Sequence, residues 1–372
     1  MITFLHIKKN NLKKNTKIQY QKELSSEYKK MIILNDSSVL TFIIYTIISS
    51  VCSFFIVYFF MPRAIKSLTS KGKVVQDYHK PQKPNIPRPA GPILIMGIII
   101  PMTIIYLFTF SMEILAILFT TIIAFCVGYI DDKKVMPGWF KPVALIVSAL
   151  PIIILGVYDT NLNLIFGDAF IPILYIPLIL IAIPVVGNTI NSIDVLNGVV
   201  SGFMLITCIP LIISVYIFGS IEVFVSTISL FFINLAFYKY HKFPSKIFPG
   251  DSGTLMLGAM YGAIAIIGKS ELIAIIALLP AIFNSFLFLS SVKRVVEHRE
   301  ITTRPTFLTD DFKLDASKDK KAPITLLRLI LVDGPLTEKE LATKIFKLGI
   351  FSSCLALISI VIQYYFVIGI GR

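Results

Sequence analysis

Long apolar stretches constrain this chain more than any other feature of its sequence. Ten stretches, each poor in charged residues, approach the length a helix needs to cross roughly 30 Å of bilayer hydrocarbon. Since 55% of the 372 residues are hydrophobic and only 15% are charged, a soluble globular fold is excluded. The sequence therefore predicts an all-α, polytopic integral membrane protein with about ten transmembrane helices. The stretches are 38–62, 91–112, 114–130, 142–158, 171–187, 201–220, 223–238, 254–268, 272–292 and 348–370.

Basic residues indicate which end of the bundle faces the cytoplasm. Most of the 35 Lys and Arg residues lie in the loops that follow the first, third, seventh and ninth apolar stretches, at 63–90, 131–141, 239–253 and 293–345. Because basic loops are retained on the cytoplasmic side, we expect these loops, and an active site formed by them, to face the cytoplasm. The lysine-rich segment 1–37 disagrees with this rule, and we predict that it is a polar, poorly ordered extension. Residues 38–372 are predicted to form a single transmembrane catalytic domain that includes the cytoplasmic loop 293–345.

Two adjacent carboxylates, Asp131 and Asp132, follow the third apolar stretch. Like charges this close repel one another unless a cation or a proton compensates them, and Lys141 follows across a short loop. A solvated acid pair and a lysine that anchors its helix at the interface would explain the same pattern. On these residues alone, a catalytic or metal-binding use and simple anchoring both stay open.

A second polar set ends the fifth apolar stretch and recurs at every third position, as Asn188, Asn191, Asp194 and Asn197. If the helix continues, this spacing puts the side chains on one face, where they serve either ligand binding or hydrogen bonds between helices. Asp251 lies on a glycine-flanked turn at 248–253, where it either caps the next helix or contributes to a site. Carboxylate and amide oxygens are ligands that suit Mg²⁺, so we predict Mg²⁺, with Mn²⁺ as the alternative.

His298 and Arg299 lie in the longest polar loop. An arginine binds phosphate through its planar guanidinium, and a histidine donates to the same group, although charged residues beside a membrane span are commonly only solvated. Bases, oxygen ligands for a hard metal ion, and a membrane together indicate phosphoryl chemistry on a lipid.

In order and spacing, these motifs resemble those of the polyprenyl-phosphate N-acetylhexosamine-1-phosphate transferases. The resemblance is closest to the eukaryotic and archaeal branch that acts on dolichyl phosphate, and it runs from about residue 70 to the last apolar stretch. The motifs that carry it are Gln76-Asp77-Tyr78-His79-Lys80, Gly128-Tyr129-Ile130-Asp131-Asp132 with Lys141, Asn188-Thr189-Ile190-Asn191 with Asn197-Gly198, Phe248-Pro249-Gly250-Asp251-Ser252, His298-Arg299, and Thr325-Leu326-Leu327-Arg328.

The resemblance implies an activity and a role for each residue. The activity is transfer of N-acetylglucosamine-1-phosphate from UDP-GlcNAc to dolichyl (polyprenyl) phosphate. The products are lipid-PP-GlcNAc and UMP, in the first step of lipid-linked oligosaccharide assembly for N-glycosylation. It implies Asn191 and Asp251 as Mg²⁺ ligands, and Asp131, Asp132 and Lys141 as catalytic residues. The implied substrate-binding residues are Asp77, Lys80, Asn188, Asp194, Asn197, His298 and Arg299.

Three alternatives stay in view. Asp194 is the residue type of the bacterial cell-envelope members rather than the dolichol branch, which leaves open a transferase that uses undecaprenyl phosphate and another UDP-sugar. A membrane transporter would also have many apolar spans, but its halves should repeat, and no such repeat is visible. A lipid-binding scaffold explains the basic loops without explaining the acids. We expect no nucleic-acid partner, and a homodimer is left open.

Overall fold

The computed structural model of the protein describes residues 36–292 and 303–369. His298 and Arg299 lie outside the described residues, and so does nearly all of the predicted extension 1–37. The described part of the chain is a bundle of twelve α-helices with three short hairpins between them.

The helices follow one another through the described part of the chain as apolar segments joined mostly by short loops. They are α1 (Asp36–Ser70), α2 (Gly91–Thr109), α3 (Met112–Lys133), α4 (Phe140–Ile154), α5 (Pro172–Ser192), α6 (Val199–Phe218), α7 (Ile221–His241), α8 (Gly250–Ile267), α9 (Glu271–Ala277), α10 (Leu279–Val292), α11 (Leu326–Ile330) and α12 (Glu338–Gly369).

Eight of the described helices are long and apolar enough to cross a membrane. Helices α9 and α10 meet the same criterion together as one span bent by 71°, and α4 is apolar but spans only 15 residues. Each of the ten predicted stretches coincides with one of these elements. The predicted all-α, polytopic membrane fold is therefore confirmed, although fewer than ten of the described elements are straight spans of full length.

Helix boundaries differ from the predicted stretches at both ends of the described chain. Helix α1 continues through Pro62 to Ser70, and α12 begins at Glu338 rather than at 348. The early start of α12 has a local cause, because Thr337 and Glu340 form a capping box. The Thr337 hydroxyl accepts from the Glu340 amide at 3.3 Å, and the Glu340 carboxylate accepts from the Thr337 amide at 2.9 Å. A search for apolar residues misses such a polar first turn.

Three antiparallel hairpins, which the sequence did not predict, connect helices. The first pairs β1 (Val74–Gln76) with β2 (Asn85–Pro87) between α1 and α2. The second pairs β3 (Asn161–Leu164) with β4 (Gly167–Phe170) at the opposite end of the bundle. The third pairs β5 (Thr306–Leu308) with β6 (Leu314–Ala316), so part of the predicted loop 293–345 is ordered against the helices.

Helix α8 is the centre of the bundle, since all its residues are buried. Glycines on α8 and on its neighbours permit this close packing. A Cβ on Gly128 of α3 would lie 2.4 Å from the backbone oxygen of Asp251, and a Cβ on Gly258 would lie 2.8 Å from the Cα of Gly187 on α5. The contact at Gly128 brings the start of α8 directly beside the acidic end of α3.

Candidate functional site

A cavity of about 400 Å³ lies where the loop containing β1, the end of α5 and the starts of α4 and α8 meet. Six of the ten predicted site residues that the structure describes contribute to its wall. Its titratable and amide lining residues are Gln76, Asp77, Tyr78, His79, Arg88, Lys141, Asn191, Asp194, Asn197, Asp251 and Arg304. Carboxylates, cations and amides thus converge at one end of an otherwise apolar bundle.

Asp132 binds the amino-terminal end of α8. Its carboxylate accepts hydrogen bonds from the backbone amides of Asp251 and Ser252, each at 2.9 Å, and from the Ser252 hydroxyl at 2.6 Å. The first amides of a helix have no partner within it and carry a partial positive charge, so a buried carboxylate stabilises them. Gly250, at φ 73°, approaches the Asp132 carboxylate so closely that a side chain there would collide with it. Asp132 therefore fixes the orientation of Asp251.

Lys141 is buried at the start of α4 and points into the cavity. Its Nζ lies 3.0 Å from Asp131 Oδ2 and 3.3 Å from Asp251 Oδ1. The other oxygen of Asp131 accepts from the Met136 amide at 3.0 Å, which ties the loop between α3 and α4 to the same carboxylate. Asp131 thus positions Lys141, and the two members of the acidic doublet have separate tasks.

Arg88, which the motif analysis did not single out, lies between the carboxylates. Its NH2 nitrogen is 2.7 Å from Asp251 Oδ2 and 3.0 Å from Asp132 Oδ1. Burial disfavours the charged guanidinium, but the carboxylates of Asp251 and Asp132 outweigh it and raise the pKa of Arg88 above its usual value. The signal in the sequence was its place between Pro87 and Pro89, where the prolines restrict the backbone from which the side chain extends.

Asp77, Lys80 and Asn197 bind one another beside the cavity. Lys80 forms an ion pair with Asp77 and donates to Asn197 Oδ1 at 2.7 Å, while the Asn197 amide group donates to Asp77 at 3.1 Å. Two residues that the sequence analysis missed complete this junction. The Asn197 backbone amide donates to Glu338 at 2.9 Å, and the Ser245 amide donates to Asn197 Oδ1 at 2.7 Å.

The junction joins four separate chain segments, because its members come from the first hairpin, the loop after α5, the loop after α7 and the start of α12. Burial favours the neutral acid at Asp77, yet bonds from Lys80 and Asn197 overcome it and lower the pKa of Asp77. The three predicted substrate-binding residues are therefore bonded to one another, while Asp77 and Asn197 also line the cavity.

The polar stripe, which consists of Asn188, Asn191, Asp194 and Asn197, divides into residues that line the cavity and one that does not. Asn188 donates to the Pro184 carbonyl of its own helix at 2.8 Å and is not among the lining residues. Asn191 and Asp194 line the cavity, and Asn191 Oδ1 accepts from the Thr254 hydroxyl at 2.6 Å. Burial, opposed by Arg88 and reinforced by Asp251, raises the pKa of Asp194 to about 7.

The donor set at this cavity fits a hard divalent cation. Asn191 and Asp251, whose side chains carry oxygen atoms, both line it. Among the described residues, no three His, Cys, Asp or Glu side chains form a cage for a metal ion. This arrangement suits Mg²⁺, which keeps several waters and is held by one or two carboxylates together with substrate phosphates. Asn191 and Asp251 are the residues that would hold it.

Comparisons with known proteins agree with the motifs. Residues 114–269, which run from α3 to the end of α8, match the family described as glycosyl transferase family 4. A protein of Methanocaldococcus jannaschii, named provisionally as a glycosyltransferase, is 27% identical over 82% of this chain and 93% of its own length.

Two further relatives carry more specific names. A phospho-N-acetylmuramoyl-pentapeptide-transferase of Streptococcus mutans is 27% identical over 61% of this chain and 73% of its own length. A Saccharolobus solfataricus protein, named provisionally as a UDP-N-acetylglucosamine–dolichyl-phosphate N-acetylglucosaminephosphotransferase, is 28% identical over 58% of this chain and 69% of its own length. The predicted resemblance to the polyprenyl-phosphate hexosamine-1-phosphate transferases is confirmed. The comparisons support an integral membrane glycosyl-1-phosphate transferase with a sugar-phosphate donor and a polyprenyl phosphate acceptor.

Proposed function

We propose that the protein transfers N-acetylglucosamine-1-phosphate from UDP-GlcNAc to a dolichyl-type polyprenyl phosphate at the cavity, with Mg²⁺ as cofactor. The observation that carries the proposal is the convergence of Lys141, Asn191 and Asp251 on one cavity at the end of a membrane bundle. Such a position lets a water-soluble donor meet a lipid whose chain stays in the bilayer. The name of the Saccharolobus relative supports this donor and this acceptor.

The reaction is a single displacement at phosphorus. An oxygen of the lipid phosphate attacks the phosphorus that carries the sugar, and the bond from that phosphorus to the bridging oxygen breaks. UMP leaves with the bridging oxygen and its electron pair, and lipid-PP-GlcNAc is formed. A phosphate monoester is already anionic near neutral pH, so the reaction requires no strong base among the protein groups.

The charged residues have separate parts in this reaction. Lys141 stabilises negative charge on the transferred phosphoryl group, and Asp131 holds Lys141 in place at 3.0 Å. Asp132 orients Asp251 through the first turn of α8. Bound at Asn191 and Asp251, Mg²⁺ would neutralise the diphosphate and help UMP to leave. Fixed cationic groups of this kind act without reorganisation when charge moves.

The orientation in the membrane follows from the basic loops. The cavity lies at the end of the bundle where the Lys- and Arg-rich loops meet, and such loops are retained in the cytoplasm. We therefore propose that the cavity opens to the cytoplasm, where UDP-sugars are available. In a prokaryote the membrane would be the cell membrane.

A second acceptor is favoured by one residue. Asp194, a residue type of bacterial members, lines the cavity, and the Streptococcus relative is named as a phospho-N-acetylmuramoyl-pentapeptide-transferase. The alternative is therefore a UDP-sugar transferase that uses undecaprenyl phosphate. The two candidates differ in donor and lipid, while the protein groups at the cavity act in the same way.

The test is transfer of radiolabelled sugar phosphate by the purified full chain in detergent. Dolichyl and undecaprenyl phosphate are each supplied with UDP-GlcNAc, in Mg²⁺ and then in EDTA. We expect a lipid-linked product and UMP only from dolichyl phosphate, and only when Mg²⁺ is present. Asp251→Asn should lower the rate at least about 100-fold. The matched control Asp168→Asn changes an exposed acid of the second hairpin and should leave the rate unchanged.

Four results would change this conclusion. Product with undecaprenyl phosphate alone would support the bacterial alternative. Activity that persists in EDTA would contradict the Mg²⁺ requirement. Near-normal activity of Asp251→Asn, or no product with either lipid from intact protein, would contradict the proposed function.

A further inference from the structure

Arg88 is paired with one of the two carboxylate oxygens of Asp251, the residue that would hold a metal ion. Its NH2 nitrogen lies 2.7 Å from Asp251 Oδ2, and Lys141 takes the other oxygen at 3.3 Å. Both oxygens of the proposed metal ligand are thus paired with protein cations. A carboxylate oxygen in contact with a guanidinium cannot bind a divalent cation in the same direction, because the two positive charges would repel each other.

Backbone hydrogen bonds on both sides of Arg88 hold its main chain in place. The Arg88 amide donates to the Lys73 carbonyl at 3.1 Å, and the Phe248 amide donates to the Pro87 carbonyl at 3.0 Å. The Ala90 amide donates to the Phe248 carbonyl at 2.9 Å. Arg88 therefore changes partners through its side chain, while the backbone stays beside the start of α8.

The two carboxylates that Arg88 contacts differ in what else they bind. Asp132 is committed to α8, because it accepts from two backbone amides and from the Ser252 hydroxyl. The Asp251 side chain instead contacts the cations Arg88 and Lys141 and the carboxyl group of Asp131. The pair with Asp132 can persist when Asp251 binds a metal ion, whereas the pair with Asp251 cannot.

We propose that Arg88 pairs with Asp251 in the metal-free enzyme, yields that carboxylate when a divalent cation binds, and then turns to the diphosphate of the donor. The proposal rests on the proposed function for its metal ion and donor. Its consequence is that metal and nucleotide binding are coupled through one side chain. Arg88 opposes the metal ion when the cavity is empty, and the diphosphate removes this opposition by offering the guanidinium a new anion. Such coupling is reciprocal.

The test measures Mn²⁺ affinity rather than turnover. The electron paramagnetic resonance signal of free Mn²⁺ gives the dissociation constant for the full chain in detergent, with and without UDP. The variants are Arg88→Gln, Arg88→Lys, Asp251→Asn and a matched control, Arg63→Gln. Arg63 is an exposed residue of α1 that donates to the Phe59 carbonyl, and it is not among the lining residues of the cavity.

We expect UDP to tighten Mn²⁺ binding to the unmodified protein. Without UDP, Arg88→Gln should bind Mn²⁺ about tenfold more tightly, and UDP should add little further. Arg88→Lys keeps the charge but loses the planar fork, so its affinity should fall between the two. Asp251→Asn should lose Mn²⁺ binding, and Arg63→Gln should behave as the unmodified protein.

An Arg88→Gln protein that binds Mn²⁺ no more tightly than the unmodified chain would overturn the proposal. If Arg88→Gln does not accumulate as folded protein, Arg88→Lys is measured instead. The proposal would then be overturned if UDP changed the Mn²⁺ affinity of Arg88→Lys as much as that of the unmodified protein. The proposed function fails separately, in the transfer assay. A chain with no transferase activity but with the expected response of Mn²⁺ affinity would refute the function alone, and the reverse result would refute only the role of Arg88.

Discussion

Replacement of Asn197 by leucine should destabilise the whole bundle rather than only weaken substrate binding. Asn197 is buried, and its side chain makes three hydrogen bonds in the junction, with Lys80, Asp77 and the Ser245 amide. Two bonds to charged groups at about 1.5 kcal/mol each and one neutral bond at about 1 kcal/mol give roughly 4 kcal/mol. Because Lys80 and Asp77 stay paired with each other, we expect a net loss of about 3 kcal/mol.

Asn188→Leu is the matched control for this experiment. It is the same substitution in the same stripe, but Asn188 only donates to a carbonyl of its own helix, so the loss should stay below about 1 kcal/mol. The assay is unfolding of the full chain in mixed micelles by SDS, followed by circular dichroism. Free energies of unfolding within about 1 kcal/mol of each other for the two variants would refute the structural role of Asn197. A pure ligand-binding role would lower turnover and leave unfolding unchanged.

Two further substitutions test the acidic end of α3 and its lysine. Lys141→Met should lower the initial rate of sugar-phosphate transfer at least about 100-fold without changing the elution volume in size-exclusion chromatography, and a smaller effect would contradict its role at the phosphoryl group. Asp132→Asn should lower the free energy of unfolding by about 1 to 2 kcal/mol, because a neutral amide caps α8 less well. Unchanged SDS unfolding of that variant would show that the cap contributes nothing.

The helices could be predicted because the bilayer leaves few alternatives. A segment in hydrocarbon must satisfy its backbone polar groups internally, so an apolar stretch of sufficient length indicates a helix. Composition does not report the polar ends of those helices. The first turn of α12 is held by Thr337 and Glu340, and the bend of 71° between α9 and α10 interrupts an apolar stretch without any polar signal.

The convergence of the site was predicted from motif resemblance rather than from spacing. Lys141 and Asp251 are separated by 110 positions, and no periodicity in the sequence indicates that they meet. Arg88 could not be distinguished by sequence, because it is one of many basic residues in a loop that indicates how the bundle is oriented in the membrane. Its partners become visible only when the start of α8 is placed beside α3. Asn188 shows the converse, since the spacing that links it to Asn191 does not bring it to the cavity.

The charged groups around the cavity do not favour the binding of an anionic donor by itself. Among the residues that the structure describes, the titratable groups at the cavity and directly behind it comprise six acidic and four basic side chains, namely Asp77, Asp131, Asp132, Asp194, Asp251 and Glu338 with Lys80, Arg88, Lys141 and Arg304. Burial lowers the pKa of His79, so it adds no charge near neutral pH.

Burial is the main cause that raises the pKa of Asp194 to about 7; Arg88 opposes this shift, and Asp251 and Asp132 add to it. A diphosphate brought into such surroundings would meet net repulsion unless positive charge enters with it. A divalent cation bound together with the donor would supply that charge and, by the role proposed for Arg88, would release this side chain from Asp251. The same imbalance that makes the empty cavity unfavourable for a diphosphate alone therefore favours joint binding of the metal ion and the nucleotide.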